Sequence, residues 1–133
     1  MLWQPPPPPA LTIAGYPESL VDAYKPTIFA DAGSAAALIV KDTPGSVFAI
    51  YTINRNAAER YLQLHNRDVA PVAADAAMLW WPLPAESTLA LGLEWFTRSG
   101  LFFSTGIAIG FSTTPNTYTA AAAADTSTML LYK

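Results

Sequence analysis

His65 is the chain's one histidine, and histidine is the side chain whose ordinary pKa lies nearest neutrality. Asp68 stands three residues on and serines occur along the chain, so a hydrolytic triad is the first chemistry to weigh. No G-x-S-x-G elbow is present, and these residue types stand at no spacing typical of a nucleophile, its base and an orienting acid. His65 is therefore read as a strand or turn residue with structural or interfacial hydrogen bonds. The ten carboxylates are scattered singly; folding could bring two together as a glycosidase pair, but every small acidic domain offers such combinations. Gly106-Ile-Ala-Ile-Gly110 lies inside a strand pattern and not between a strand and a helix, so it is no phosphate loop. Its glycines are expected to let another backbone or sheet approach closely. The lack of cysteine removes disulfides, thiolate zinc sites and thiol nucleophiles together. A single histidine removes a multi-histidine metal site within one chain. The expectation is no enzyme, no cofactor and no metal.

The aromatic residues are the strongest local feature: Trp3, Trp80, Trp81 and Trp95, with six tyrosines and six phenylalanines. Trp80-Trp81 has two readings. One is a sugar-stacking platform. The other follows from strand geometry, in which adjacent side chains point to opposite faces, one into the core and one outward. An outward tryptophan is more often an interface anchor than a ligand platform, and the interface reading is preferred.

These residues must be positioned by short strands. From residue 27 onward, apolar runs alternate with turn signals every 8 to 14 residues. Thr27-Ile-Phe-Ala30 and Ala36-Ala-Leu-Ile-Val40 are separated by Asp31-Ala-Gly-Ser34, and Pro44-Gly45 centres the next turn. Residues 47–53 are rich in β-branched and aromatic types. Leu89, Leu91, Leu93 and Trp95 alternate with smaller or polar residues, as in a half-buried strand. Residues 101–111 predict one further strand, with Phe103, Thr105, Ile107, Ile109 and Phe111 on one face. Residues 126–133 predict the last. Residues 57–64 fit a helical stripe as well as a strand, and their place between two strands favours strand. Five alanines at 120–124 are too few to nucleate a helix alone and predict a loop or packed extended segment. Seven or eight strands at this spacing make the chain all-β, a sandwich or barrel.

Residues 1–26 read differently, as an extended N-terminal arm attached to a β domain over 27–133. Pro5, Pro6, Pro7, Pro8 and Pro9 lack N–H groups and have fixed φ, so they form a stiff polyproline II rod. Pro17 could open a single helical turn. Leu2 and Trp3 are the candidate anchors at the tip of the arm. They are expected to dock on a neighbouring protomer or shell, or else to fold back over an edge of their own domain.

Composition adds a constraint of its own. Of 133 residues, 52% are apolar and 13% charged, about half the usual charged share of roughly 25%. In so small a domain much of that apolar content must reach the surface, which predicts an obligate oligomer or a permanent part of a larger assembly. Ten acidic against seven basic residues argue against a general nucleic-acid binder. The apolar run 76–85 is broken by Pro82 and Pro84, far short of the roughly 20 residues of a membrane span. The N-terminus lacks the basic and apolar regions of a signal peptide, so synthesis and maturation in a reducing cytoplasm are expected.

Over residues 47–133 the chain resembles small β-sandwich virion proteins of tailed bacteriophages. The resemblance is carried by Arg60-Tyr-Leu-Gln-Leu-His-Asn66, the Pro82-Leu-Pro84 step and Gly100-Leu-Phe-Phe-Ser-Thr-Gly-Ile-Ala-Ile-Gly110. Ser112-Thr-Thr-Pro-Asn-Thr-Tyr118 and Leu131-Tyr-Lys133 add to it. It implies an antiparallel jelly-roll-like sandwich, commonly in threefold assemblies. It also implies a role as a capsid decoration (cement) protein, partnered by its own copies as a trimer and by the major capsid protein on the outer capsid surface. The alternative is a tail or head-fibre module recognising host glycans. Partner-contacting residues on these readings are Leu2, Trp3, Pro5 to Pro9, Trp80 and Trp81.

Overall fold

The structure, a computed structural model, describes Trp3 and residues 26–133. Leu2, Pro5 to Pro9, the expected turn at Pro17 and the rest of the arm lie outside the described residues. The described chain forms nine strands: β1 (Thr27–Asp31), β2 (Ala37–Lys41), β3 (Gly45–Asn54), β4 (Arg60–Asn66), β5 (Leu79–Leu83), β6 (Ser87–Leu91), β7 (Leu101–Phe103), β8 (Ile107–Ser112) and β9 (Thr126–Tyr132). A single helical turn, α1 (Leu93–Phe96), joins β6 to β7. All strand pairs are antiparallel.

One sheet runs β1-β9-β3-β6, with β7 on the edge of β3 that also carries β6; the other runs β2-β8-β4-β5. Strands close in sequence cross between the sheets, β1 to β2, β2 to β3, β3 to β4 and β8 to β9. This order is that of a jelly-roll sandwich, so the expected all-β class is what the chain forms. Val47, Ile50, Leu62, Leu64, Leu83, Phe103, Ile107, Ile109, Phe111 and Leu130 interdigitate between the sheets and exclude water. Of residues 57–64, those from Arg60 onward are strand, since Leu62 and Leu64 face the core and alternate with Gln63 and His65, while residues 57–59 form the bend that leads into it.

Two expectations are corrected. The strand expected through Trp95 stops at Leu91. The amides of Trp95 and Phe96 donate to the Gly92 carbonyl at 3.1 and 3.0 Å, and the Glu94 carboxylate accepts from the Gly92 amide at 3.1 Å. That turn swings Phe96 into the core, where an extended chain would point it outward. The strand expected over 101–111 is two strands in different sheets. Between them, Asn66 holds the crossover: its Oδ1 accepts from the Thr105 amide at 2.8 Å and its Nδ2 donates to Ser104 Oγ at 2.9 Å. A Cβ on Gly106 would stand 2.3 Å from the Arg67 carbonyl oxygen, so only glycine lets the chain cross here. Residues 120–124 hold no α-helix; Ala120 bridges to Ser112 and a 3-10 turn follows over Ala123–Asp125.

Candidate interaction surface

Strand β5 divides its two tryptophans as alternation requires. Trp81 is 7% exposed and lies edge-on to Trp95 and Phe96, at ring separations of 5.6 and 6.1 Å. Trp80 is 41% exposed and lies edge-on to Tyr61 at 5.8 Å. Trp81 is thereby committed to the core, so of the expected pair only Trp80 offers substantial surface to a partner. Trp3 is 81% exposed on its own protomer. Tyr61 donates its hydroxyl proton to Glu59 at 2.6 Å; that bond, with some burial and the Glu59 charge, raises the phenol pKa.

The two outer faces of the sandwich differ in kind. On the β2-β8-β4-β5 sheet, the loops over 67–78 and 113–121 fold across the outer surface and pair with each other. The Ala74 amide donates to the Tyr118 carbonyl at 2.9 Å, the Tyr118 amide to the Asp75 carbonyl at 2.8 Å and the Ala77 amide to the Asn116 carbonyl at 2.9 Å. An Arg67–Asp75 ion pair closes the first loop. Beneath them Gln63 and His65 are fully buried. The Gln63 amide nitrogen reaches the carbonyls of Thr114, Pro115 and Thr117 at 2.9, 2.8 and 3.1 Å. Its Oε1 faces His65 Nε2 at 2.9 Å, which assigns the imidazole proton to Nε2, because the amide oxygen only accepts. A Cβ on Gly110 would meet the Tyr118 ring at 2.8 Å, so this glycine admits the covering loop as a close layer.

His65 is thus a structural hydrogen-bonding residue under a lid of backbone. Burial pushes its pKa below the ordinary imidazole range, the Arg67 charge pushes the same way, and the Ala76 backbone acts against both. Nδ1 makes no hydrogen bond of good geometry even to Ala76. Above about pH 6.5 the ring is neutral in both folded and unfolded chains and contributes no pH dependence. Below that, the unfolded chain takes up a proton that the folded chain refuses, so stability falls as pH drops towards the folded pKa, by at most about 1.4 kcal/mol per pH unit. Urea midpoints measured from pH 7 to 5 should show this decline, and His65→Gln should flatten it. Equal slopes for the two proteins would contradict the assignment.

The outer face of the β1-β9-β3-β6 sheet carries no such cover among the described residues. In register across it stand Ile28, Leu131 and Ala49 in one row, and Ala30, Met129, Tyr51 and Ala90 in the next. No charged side chain occurs in either row. Asp31 sits at the rim, its carboxylate engaged by the Gly33 and Ser34 amides at 2.9 and 3.1 Å. Ile28 is 68% exposed and Met129 51%. Two shallow depressions, of about 400 and 360 Å³, flank Tyr51 and Met129, which line both. The chemistry these rows offer is burial of apolar area.

No family model, no curated protein and no solved structure matches this chain.

The face was not singled out from sequence. The signal available was that residues 47–51 and 129–132 are apolar at odd and even positions alike, more than a strand with one solvated face requires. Among the described residues, no group of three His, Asp or Glu side chains could hold a metal ion, and no helix is long and apolar enough to cross a membrane.

Proposed function

We propose that the protein is a non-enzymatic structural component of a phage virion. In this reading it is a decoration protein that self-associates, as a trimer, and stabilises contacts between major capsid subunits on the outer capsid surface. The observation that carries the reading is the uncharged pair of apolar rows across β1, β9, β3 and β6, in a domain whose opposite outer face is covered over its central strands, β4 and β8, by its own loops. An exposed apolar sheet face of this kind is the mark of permanent association. The jelly-roll topology, used by many viral capsid domains, supports the reading, as does the resemblance over residues 47–133. Quantitative gel densitometry of purified virions tests it: a capsid-lattice protein is present in the hundreds, following the symmetry of the shell. A copy number limited to a few tens assigns the protein to the tail or fibre.

The fibre reading has one observation in its favour, the outward Trp80 edge-on to Tyr61, an arrangement able to stack on a sugar ring. Loss of glycan binding in Trp80→Ala, together with a low copy number, would select it.

A further inference from the structure

We infer that the uncharged sheet face of one protomer is the docking site for the N-terminal arm of a second copy of this chain, with Trp3 seated beside Met129 and Tyr51. The inference rests on reading that face as an association surface, and it names the occupant. Four observations favour the arm of another copy. Residues 1–17 contain no charged side chain, matching the two central rows of the face, which contain none; Asp31, at the rim of one depression, has its carboxylate engaged by the Gly33 and Ser34 amides. In sequence the arm adjoins β1, whose Ile28 belongs to the same face. That adjacency suits a reciprocal exchange between copies, a low-cost route to assembly. The prolines have no N–H to satisfy and can lie flat on a surface without a strand partner; proline-rich segments characteristically dock on grooves with aromatic walls, and Tyr51 lines both depressions here. Finally, Trp3 is 81% exposed on its own protomer, so its indole is left to be covered by another. At roughly 3 Å per residue, the five prolines span about 15 Å, close to the width of a four-stranded sheet.

The lack of cysteine in the chain makes the test direct. The full-length double variant Gln4→Cys/Met129→Cys, which keeps the Trp3 indole, is oxidised and run on a non-reducing gel. Exchange between copies predicts covalent dimers and larger species, about tenfold more abundant than with Gln4→Cys/Asn116→Cys, because docking raises the local thiol concentration. Asn116 is exposed on the loop that covers the opposite sheet. Gln4→Cys/Ala90→Cys repeats the test at a small exposed position on the same face, should Met129→Cys disturb folding. A disulfide closed within single chains, identified by peptide mass, overturns the inference in favour of an arm that covers its own domain. Equal cross-linking in the test and control pairs overturns it as well. Light scattering on the wild-type chain separates the two levels. An oligomer without the specific cross-link leaves the association reading standing, whereas a stable monomer removes both.

Discussion

Asp125→Ala is expected to cost about 3 kcal/mol of stability, the lower end of the range for removing one partner from a buried ion pair. For a domain of this size that corresponds to roughly 10 °C in Tm. The Asp125 carboxylate accepts from Arg60 Nε at 2.9 Å and from Asn56 Nδ2 at 2.9 Å. The side chains of the ion pair are only 15% and 10% exposed, Arg60 and Asp125 respectively. The cluster ties the start of β4, in one sheet, to the start of β9, in the other, with the Arg55 amide donating to the Asp125 carbonyl at 2.7 Å. Without the carboxylate, Arg60 keeps its charge in a largely dry site and retains only its bond to the Glu59 carbonyl. Replacing both partners, as Arg60→Met/Asp125→Leu, should recover much of the loss, because no charge is then stranded. Burial alone would raise the Asp125 pKa, but hydrogen bonds from Asn56 and Arg60, the Arg60 charge and the Ala122 backbone hold it below the ordinary carboxylate value. The pair therefore contributes fully above about pH 4, the unfolded value, and its contribution is lost as pH falls through the lower folded value. The gap in Tm between wild type and Asp125→Ala should narrow over that acidic range. Thermal unfolding of the variant within a degree or two of wild type would refute the account.

Met129→Glu is expected to weaken self-association about a hundredfold while leaving the monomer fold intact, since burying one uncompensated charge costs about 3 kcal/mol. Met129 points away from the core, between Ala30 and Tyr51 in register, so the folded monomer can leave a carboxylate there in water. Surface changes of this sort move stability by about half a kcal/mol or less. Any partner covering the face, arm or sheet, removes that water and leaves the charge with no counter-charge in either row. Light scattering over a dilution series reads the association, and circular dichroism with thermal unfolding reads the fold. An unchanged dissociation concentration would remove this face from the assembly. On the proposed decoration role, the same variant should be shed from particles at lower denaturant than wild type.

These two substitutions act on different parts of the molecule. Asp125 joins the sheets and is read in the isolated chain. Met129 faces outward and is read only when copies meet. On the proposed reading association needs both, a sandwich stiff enough to present a face and a face that is unsatisfied alone.

The strands over 27–31, 37–41, 45–54 and 126–132 were legible in the sequence to within a few residues, because β-branched and aromatic runs between Gly, Pro, Asn and Asp turns are local signals. So was the opposite orientation of Trp80 and Trp81, which follows from a two-residue repeat whatever surrounds the strand. His65 was legible as structural, although its partners were not: Gln63 lies two residues away, but the carbonyls that lock Gln63 come from residues 114–117. The break between β7 and β8 was hidden, since alternation from Phe103 to Phe111 continues unbroken through the crossover at Gly106. The turn at 93–96 was hidden in the same way, by leucines that happened to alternate.

Composition and alternation by themselves determined that this chain is all-β, that it cannot use thiol or multi-histidine chemistry, and that it carries more apolar surface than a lone domain of its size can hide. Only the tertiary structure decided which face stays bare. Both sheets bring side chains to an outer surface, and in sequence the two sets look alike. One is buried at its centre, over β4 and β8, because loops from 67–78 and 113–121, distant in sequence, close over it and satisfy Gln63. Over the other, no loop among the described residues closes. The difference is one of loop placement in space, a long-range property of the sandwich that no repeat of two residues can encode.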